Sequence, residues 1–135
     1  MTVQFSDAVR NAMGNSIEST IGTSAILKIF DGTKPADCAT ADAGTVLATL
    51  NLPSDWMAAF SGGVGAKAGT WQDASADATG TAQYYRLYAS DGTTCHEQGT
   101  VTVTSGGGDL EVQNTSINAG QPVTITTWQK TIAGA

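Results

Sequence analysis

Near the start of the chain apolar residues recur at steps of four, Phe5, Val9, Met13, Ile17 and Ile21, with Ala8 and Ala12 beside them. That is the period of an amphipathic helix. Ser6 or Thr2 is placed to cap its start, and Gly22 follows the last apolar position, where a left-handed cap is expected. Gly14 in mid-helix costs roughly 1 kcal/mol relative to Ala, so the helix calls for a surface to lie against.

After Gly22 the pattern changes to short β segments divided by turn residues. Ser24 to Phe30 reads as a strand ended by Asp31-Gly32. Thr45 to Leu52 reads as a second, with Val46, Ala48, Leu50 and Leu52 on one face and Pro53 as its stop. Residues 54–60 predict a short helical turn, 61–65 a flexible Gly-rich run, 66–72 a weak strand and 73–80 a loop. Gln83 to Ala89 is the strongest strand, carrying Tyr84, Tyr85, Leu87 and Tyr88. Asp91-Gly92 turns it into Glu97 to Thr104 as a hairpin. After Gly106-Gly107-Gly108, the segments 109–113 and 122–132 predict a last strand pair joined by the polar loop 114–121.

Seven or so short strands with frequent turn signals predict a mainly β fold, an antiparallel β-sandwich or jelly-roll-like barrel with an N-terminal amphipathic α-helix. The expected organisation is a helical arm over 1–22 and one β domain over 23–135. Composition adds a constraint. The 135 residues include 20 Ala, 20 Thr and 16 Gly against 24 of Leu, Ile, Val and Phe together. Such a core is thin for its length, and assembly with copies of the chain or with a partner is expected to supply part of the stability. Disorder is excluded because only 13% of residues are charged.

The formal charge of −6 and six scattered cations argue against a nucleic-acid partner. No run of apolar residues is long enough for a membrane span, and no basic-then-apolar leader opens the chain, which predicts synthesis in the cytoplasm and no membrane partner.

Candidate chemistry is sparse. Cys38 and Cys95 lie in loop-like surroundings; they could close a disulfide at one end of a sandwich, or stay as free, partly buried thiols. With His96 they make too small a set for zinc, so no metal or other cofactor is expected. His96 is the single histidine, and its sequence neighbours do not build a catalytic triad, so no catalytic residue and no enzyme activity are expected. Gly62 to Ala68 resembles a phosphate loop only loosely, since Ala stands where Gly must precede the Lys and where Ser or Thr must follow it. Asp73 with Asp77, and Asp37 with Asp42, lack the acid pattern of a calcium loop. Trp56, Trp71 and Trp128 could stack sugars, but a chain this poor in large aliphatics needs them for core or subunit packing.

Four segments together carry a resemblance: Ser19 to Ala25, Asn51 to Met57, Tyr84 to Tyr88 with Asp91 to Val101, and Asn114 to Gln121. In overall pattern, over most of the chain, they resemble small structural proteins of tailed bacteriophages. The resemblance implies a virion protein of the capsid decoration or minor capsid type, bound outside the head shell. Its implied partners are the major capsid protein or other virion subunits, and copies of itself in a homo-oligomer, a trimer being favoured. In that setting Phe5, Val9, Met13, Ile17 and Ile21 form the strip that docks on a neighbour. A neck, collar or tail component is the alternative within the virion. A receptor- or glycan-binding module is the alternative outside that class.

Overall fold

The computed structural model describes residues 3–135, so the proposed Thr2 cap lies outside the described residues. The helix α1 spans Asp7–Ile21. Ser6 caps it, its hydroxyl accepting the Val9 N–H at 3.3 Å. Gly22 ends it at φ +95°, a conformation L side chains resist, and donates its N–H to the Glu18 carbonyl.

Eleven strands follow: β1 (Ile26–Phe30), β2 (Val46–Asn51), β3 (Val64–Ala66), β4 (Trp71–Asp73), β5 (Gly80–Thr81), β6 (Tyr84–Tyr88), β7 (Cys95–Val103), β8 (Leu110–Val112), β9 (Ser116–Ile117), β10 (Val123–Ile125) and β11 (Gln129–Thr131). Five of them form one sheet in the order β2-β1-β6-β7-β8, antiparallel except for the parallel pair β7–β8. Three two-stranded ribbons, β10–β4, β11–β3 and β5–β9, complete the set. Because β4 packs beside β2 and β10 beside β8, the ribbon β10–β4 bridges the two edges of the sheet and curls the body into a barrel-like shape. The mainly β class with one N-terminal helix is as expected.

Alternation along the central strands separates two cores. Leu27, Ile29, Ala48, Leu50, Tyr85 and Leu87 face the barrel interior with Trp56, Trp71 and Trp128. The three indoles form a tilted and edge-to-face chain that Tyr85 extends, with centroids 5.0 to 6.1 Å apart. These large rings fill the volume that scarce aliphatics leave open. On the other face Phe30, Tyr84 and Tyr88 make a smaller cluster, Phe30 and Tyr84 stacking at 4.8 Å, beneath the loop of residues 31–45.

Four local expectations are corrected. Residues 54–60 make no helical turn; they run as an irregular extended segment with a bridge from Met57 to Lys67. The cause is tertiary: Met57, Ala58 and Phe60 donate their N–H groups to Glu18, the Ala66 carbonyl and Asn15 respectively, which a local helical turn cannot match. The weak strand expected at 66–72 is interrupted: β3 ends at Ala66, having begun at Val64 in the run expected to be flexible, residues 67–70 are not strand, and β4 begins at Trp71 in a different ribbon. The segments 109–113 and 122–132 do not pair with each other. β8 joins β7 in parallel through a connection short enough to need glycine, since a Cβ at Gly106 or Gly108 would lie 2.7 or 2.8 Å from the Thr102 side chain. The stretch 122–132 breaks where Trp128 turns inward and its indole N–H donates to the Asp109 carbonyl (2.9 Å), leaving β10 and β11 to pair with β4 and β3.

Candidate interaction surface

A step of four residues overshoots one helical turn by about 40°, so three steps from Val9 to Ile21 rotate the stripe by about 120°. The five predicted residues therefore do not share one face. Ile21 is buried in the main core and Ile17 packs against it. Phe5 precedes the helix and is half-buried over Gly134, whose carbonyl accepts the Phe5 N–H at 2.6 Å. Val9 and Met13 are each 44% exposed.

The face of α1 turned to the body is mostly polar. Arg10 is 6% exposed; its guanidinium donates to the Ile132 carbonyl (3.0 Å) and pairs with Asp7 at 3.1 Å. Asn11 accepts the Gly63 N–H, Asn15 the Phe60 N–H and Glu18 the Met57 N–H, all at 2.8 to 3.0 Å. Trp56 donates its indole N–H to the Gly22 carbonyl at 2.9 Å. Gly14 sits in the middle of this face because the Phe60 ring lies between it and Gly65, where added Cβ atoms would stand 2.2 and 2.3 Å from ring carbons. The cost of Gly14 in a helix is thereby matched by close packing.

Asp55 lies beside Glu18 where α1 meets the 54–60 segment. Burial first, then hydrogen bonding and repulsion from Asp55, hold the Glu18 carboxyl above the usual carboxylate range.

The outward face carries Ala8, Val9, Ala12, Met13, Ser16, Ser19 and Thr20, all exposed and none charged, in a chain of net charge −6. Ser16 and Ser19 turn their hydroxyls back onto carbonyls of their own helix, at 2.6 Å to Met13 and 3.2 Å to Ser16. Covering this face would desolvate no ion, and of its three hydroxyl donors only Thr20 would need a new acceptor. Val3, 55% exposed, precedes the same helix. Sequence reading found the apolar stripe and missed Arg10, Asn11, Asn15 and Glu18. Their signal was present: every charged side chain of the helix falls on one side, around Gly14.

The remaining candidates are accounted for by their contacts. Cys38 and Cys95 are free and half-buried, and they line one cleft with Lys28, Arg86 and Tyr88. His96 is exposed on β7. The Gly62–Gly63 turn is filled by α1, a Cβ at Gly63 meeting Arg10 at 2.3 Å, so it offers no open cradle for phosphate. Asp73 accepts the Thr49 N–H and Asp77 the Thr49 hydroxyl (2.9 and 2.8 Å), fastening β2 to the following loop. Asp37 caps a turn at Thr40, and those hydrogen bonds hold its carboxyl low. Asp42 accepts from the Tyr88 hydroxyl at 3.3 Å.

Trp56, Trp71, Trp128 and all three tyrosines are buried, so a sugar-stacking platform has no exposed indole or phenol ring to use. Among the described residues no group of three or more His, Cys, Asp or Glu is placed to hold a metal ion, and no helix is long and apolar enough to cross a membrane. Comparison of the chain with protein-family models, with curated proteins and with solved structures found no match.

Proposed function

We propose that this chain is a non-enzymatic structural subunit of a tailed-phage particle, of the capsid decoration or minor capsid type, that assembles through the outward face of α1. The observation that carries the reading is the inversion of the helix. It spends the Arg10 guanidinium and its amide acceptors on its own β body and turns Val9, Met13 and small uncharged residues to solvent. The resemblance of the Ser19–Ala25, Asn51–Met57, Tyr84–Val101 and Asn114–Gln121 segments to phage structural proteins supplies the setting.

Size limits how the face can be used. A 15-residue helix is about 22 Å long and about 10 Å wide, so one face offers about 200 Å², against about 800 Å² per partner in a stable interface. The helix alone makes a weak contact. A symmetric cluster, a trimer being favoured, and repetition over a shell add such contacts together.

Competition in vivo tests the reading. Wild type and a Val9→Asp/Met13→Asp variant, each mass-tagged, are supplied together during particle assembly and counted in purified particles. The expected result is wild-type copies in register with the shell subunit and a depletion of the variant by about tenfold or more, the effect of one desolvated charge at an interface. Equal incorporation, or absence of the wild-type chain from the particles, overturns it.

A further inference from the structure

The 31–45 loop is held on the outer face of the sheet by hydrogen bonds from four side chains. Arg86, 3% exposed, donates through one guanidinium nitrogen to the carbonyls of Asp37 (3.0 Å) and Thr40 (2.7 Å), while its Nε is fixed by Gln98 at 3.1 Å. Gln98 donates to the Pro35 carbonyl at 2.7 Å, Tyr88 to Asp42 and Tyr84 to the Ala43 carbonyl. Cys38 lies between the two carbonyls that Arg86 grips, so its backbone is located by a buried, rigid group. Cys95 opens β7 opposite Tyr88 and packs against the Phe30, Tyr84 and Tyr88 cluster.

Both thiols are half-buried and line one cleft of about 340 Å³. The Cys95 thiol donates to the Glu97 carbonyl at 3.5 Å. Two cysteines 57 positions apart in sequence thus share one cleft, brought there by the Arg86, Gln98 and Tyr88 hydrogen bonds that hold the loop on the sheet.

We propose that Cys38 and Cys95 form a redox clasp: a small-molecule disulfide oxidises them to an intramolecular disulfide that locks the 31–45 loop onto the β6–β7 hairpin. One cysteine thiolate attacks a sulfur of the small disulfide and expels one small thiolate, leaving a mixed disulfide. The second cysteine, losing its proton to solvent, attacks the sulfur of the first and expels the second small thiolate. The two protein thiols lose two electrons and two protons, and the small disulfide is reduced to two thiols. The bridge replaces a set of exchangeable hydrogen bonds with a covalent tie closing β1's return loop, β2 and everything up to β7 into one ring. The clasp stands independently of the assembly reading.

Equilibration of the full chain with mixtures of oxidised and reduced glutathione, followed by acid quenching, alkylation and non-reducing peptide mapping, tests it. The expected product is monomer with a Cys38–Cys95 bridge, formed with an equilibrium constant about 30-fold or more above that of the chain in concentrated urea. Oxidation is expected to raise the Tm of wild type and to leave that of Cys38→Ser unchanged. Accumulation of glutathione on both cysteines without a bridge, an intermolecular dimer, or a bridging constant no higher in buffer than in urea overturns the clasp.

Discussion

The two faces of α1 divide their chemistry against the usual rule for a surface helix, which buries its apolar side and hydrates its polar side. Here the body-facing side holds Arg10, Asn11, Asn15 and Glu18, each engaged with the β body, while the solvent side holds Ala8, Val9, Ala12 and Met13. The polar side works because its partners on the β body are backbone groups, the N–H groups of Met57, Phe60 and Gly63 in the irregular 57–63 segment and the carbonyl of Ile132 just past β11. The helix thus completes the barrel's hydrogen bonding. Among the described residues the outward side has no such partner and carries no charge, and under the proposed function it is the surface that assembly covers.

Substitutions on the two sides should separate sharply. The largest effect is expected at Gly14, where Gly14→Leu drives a side chain into the Phe60 ring and should destabilise the fold by about 3 kcal/mol in urea unfolding. Arg10→Met comes next. It leaves the Ile132 carbonyl without its donor and removes a buried charge that is hydrogen-bonded, a loss of about 2 kcal/mol by the same measurement. A destabilisation under about 0.5 kcal/mol at either site would mean that the body-facing contacts do not hold the helix.

Glu18→Gln sharpens the comparison through pH. The Glu18 carboxyl is held above its ordinary value of 4.5, so the fold binds its proton more tightly than the unfolded chain does. The stability this group contributes is complete below that ordinary value and is lost as pH rises through the raised one. Glutamine keeps an acceptor for the Met57 N–H without the charge. The variant should flatten this part of the pH dependence of the urea midpoint and be the more stable protein at neutral pH; an unchanged slope would show that folding does not hold the Glu18 carboxyl above its ordinary value. The smallest effect is expected outside: Val9→Thr and Met13→Gln should each change stability by no more than about 0.5 kcal/mol.

How much of this was legible in the sequence depends on how far each partner lies along the chain. The limits of α1 were readable because Ser6 and Gly22 act within a few residues of themselves. The β6–β7 hairpin was readable because Asp91 accepts the Thr94 hydroxyl and gathers the Thr94 and Thr93 N–H groups in a local turn, bonds that also hold its carboxyl down at about 2. The 54–60 segment was not, since the acceptors for its Met57 and Phe60 N–H groups sit on a helix some forty residues earlier. The partner of β8 was not, because Gly106 and Gly108 act by contact with Thr102 rather than by a turn signature.

The candidate surface was half legible. A period of four already carries the drift of about 40° per step that separates Val9 and Met13 from Ile17 and Ile21; which side meets the body is fixed by Phe60 and Ile132, far along the chain. That Cys38 and Cys95 share one cleft was not legible, because Arg86 and Gln98, which bring the loop to the β6–β7 hairpin, belong to neither cysteine's surroundings in sequence.

Sedimentation velocity of wild type and Val9→Asp/Met13→Asp over a wide range of concentration tests the role of the outward face most directly. The expected result is a wild-type homo-oligomer, a trimer being favoured, and a variant that sediments as monomer and whose Tm equals that of wild type at concentrations where wild type has dissociated. A wild type that stays monomeric at every concentration, or a variant that associates as wild type does, would contradict it.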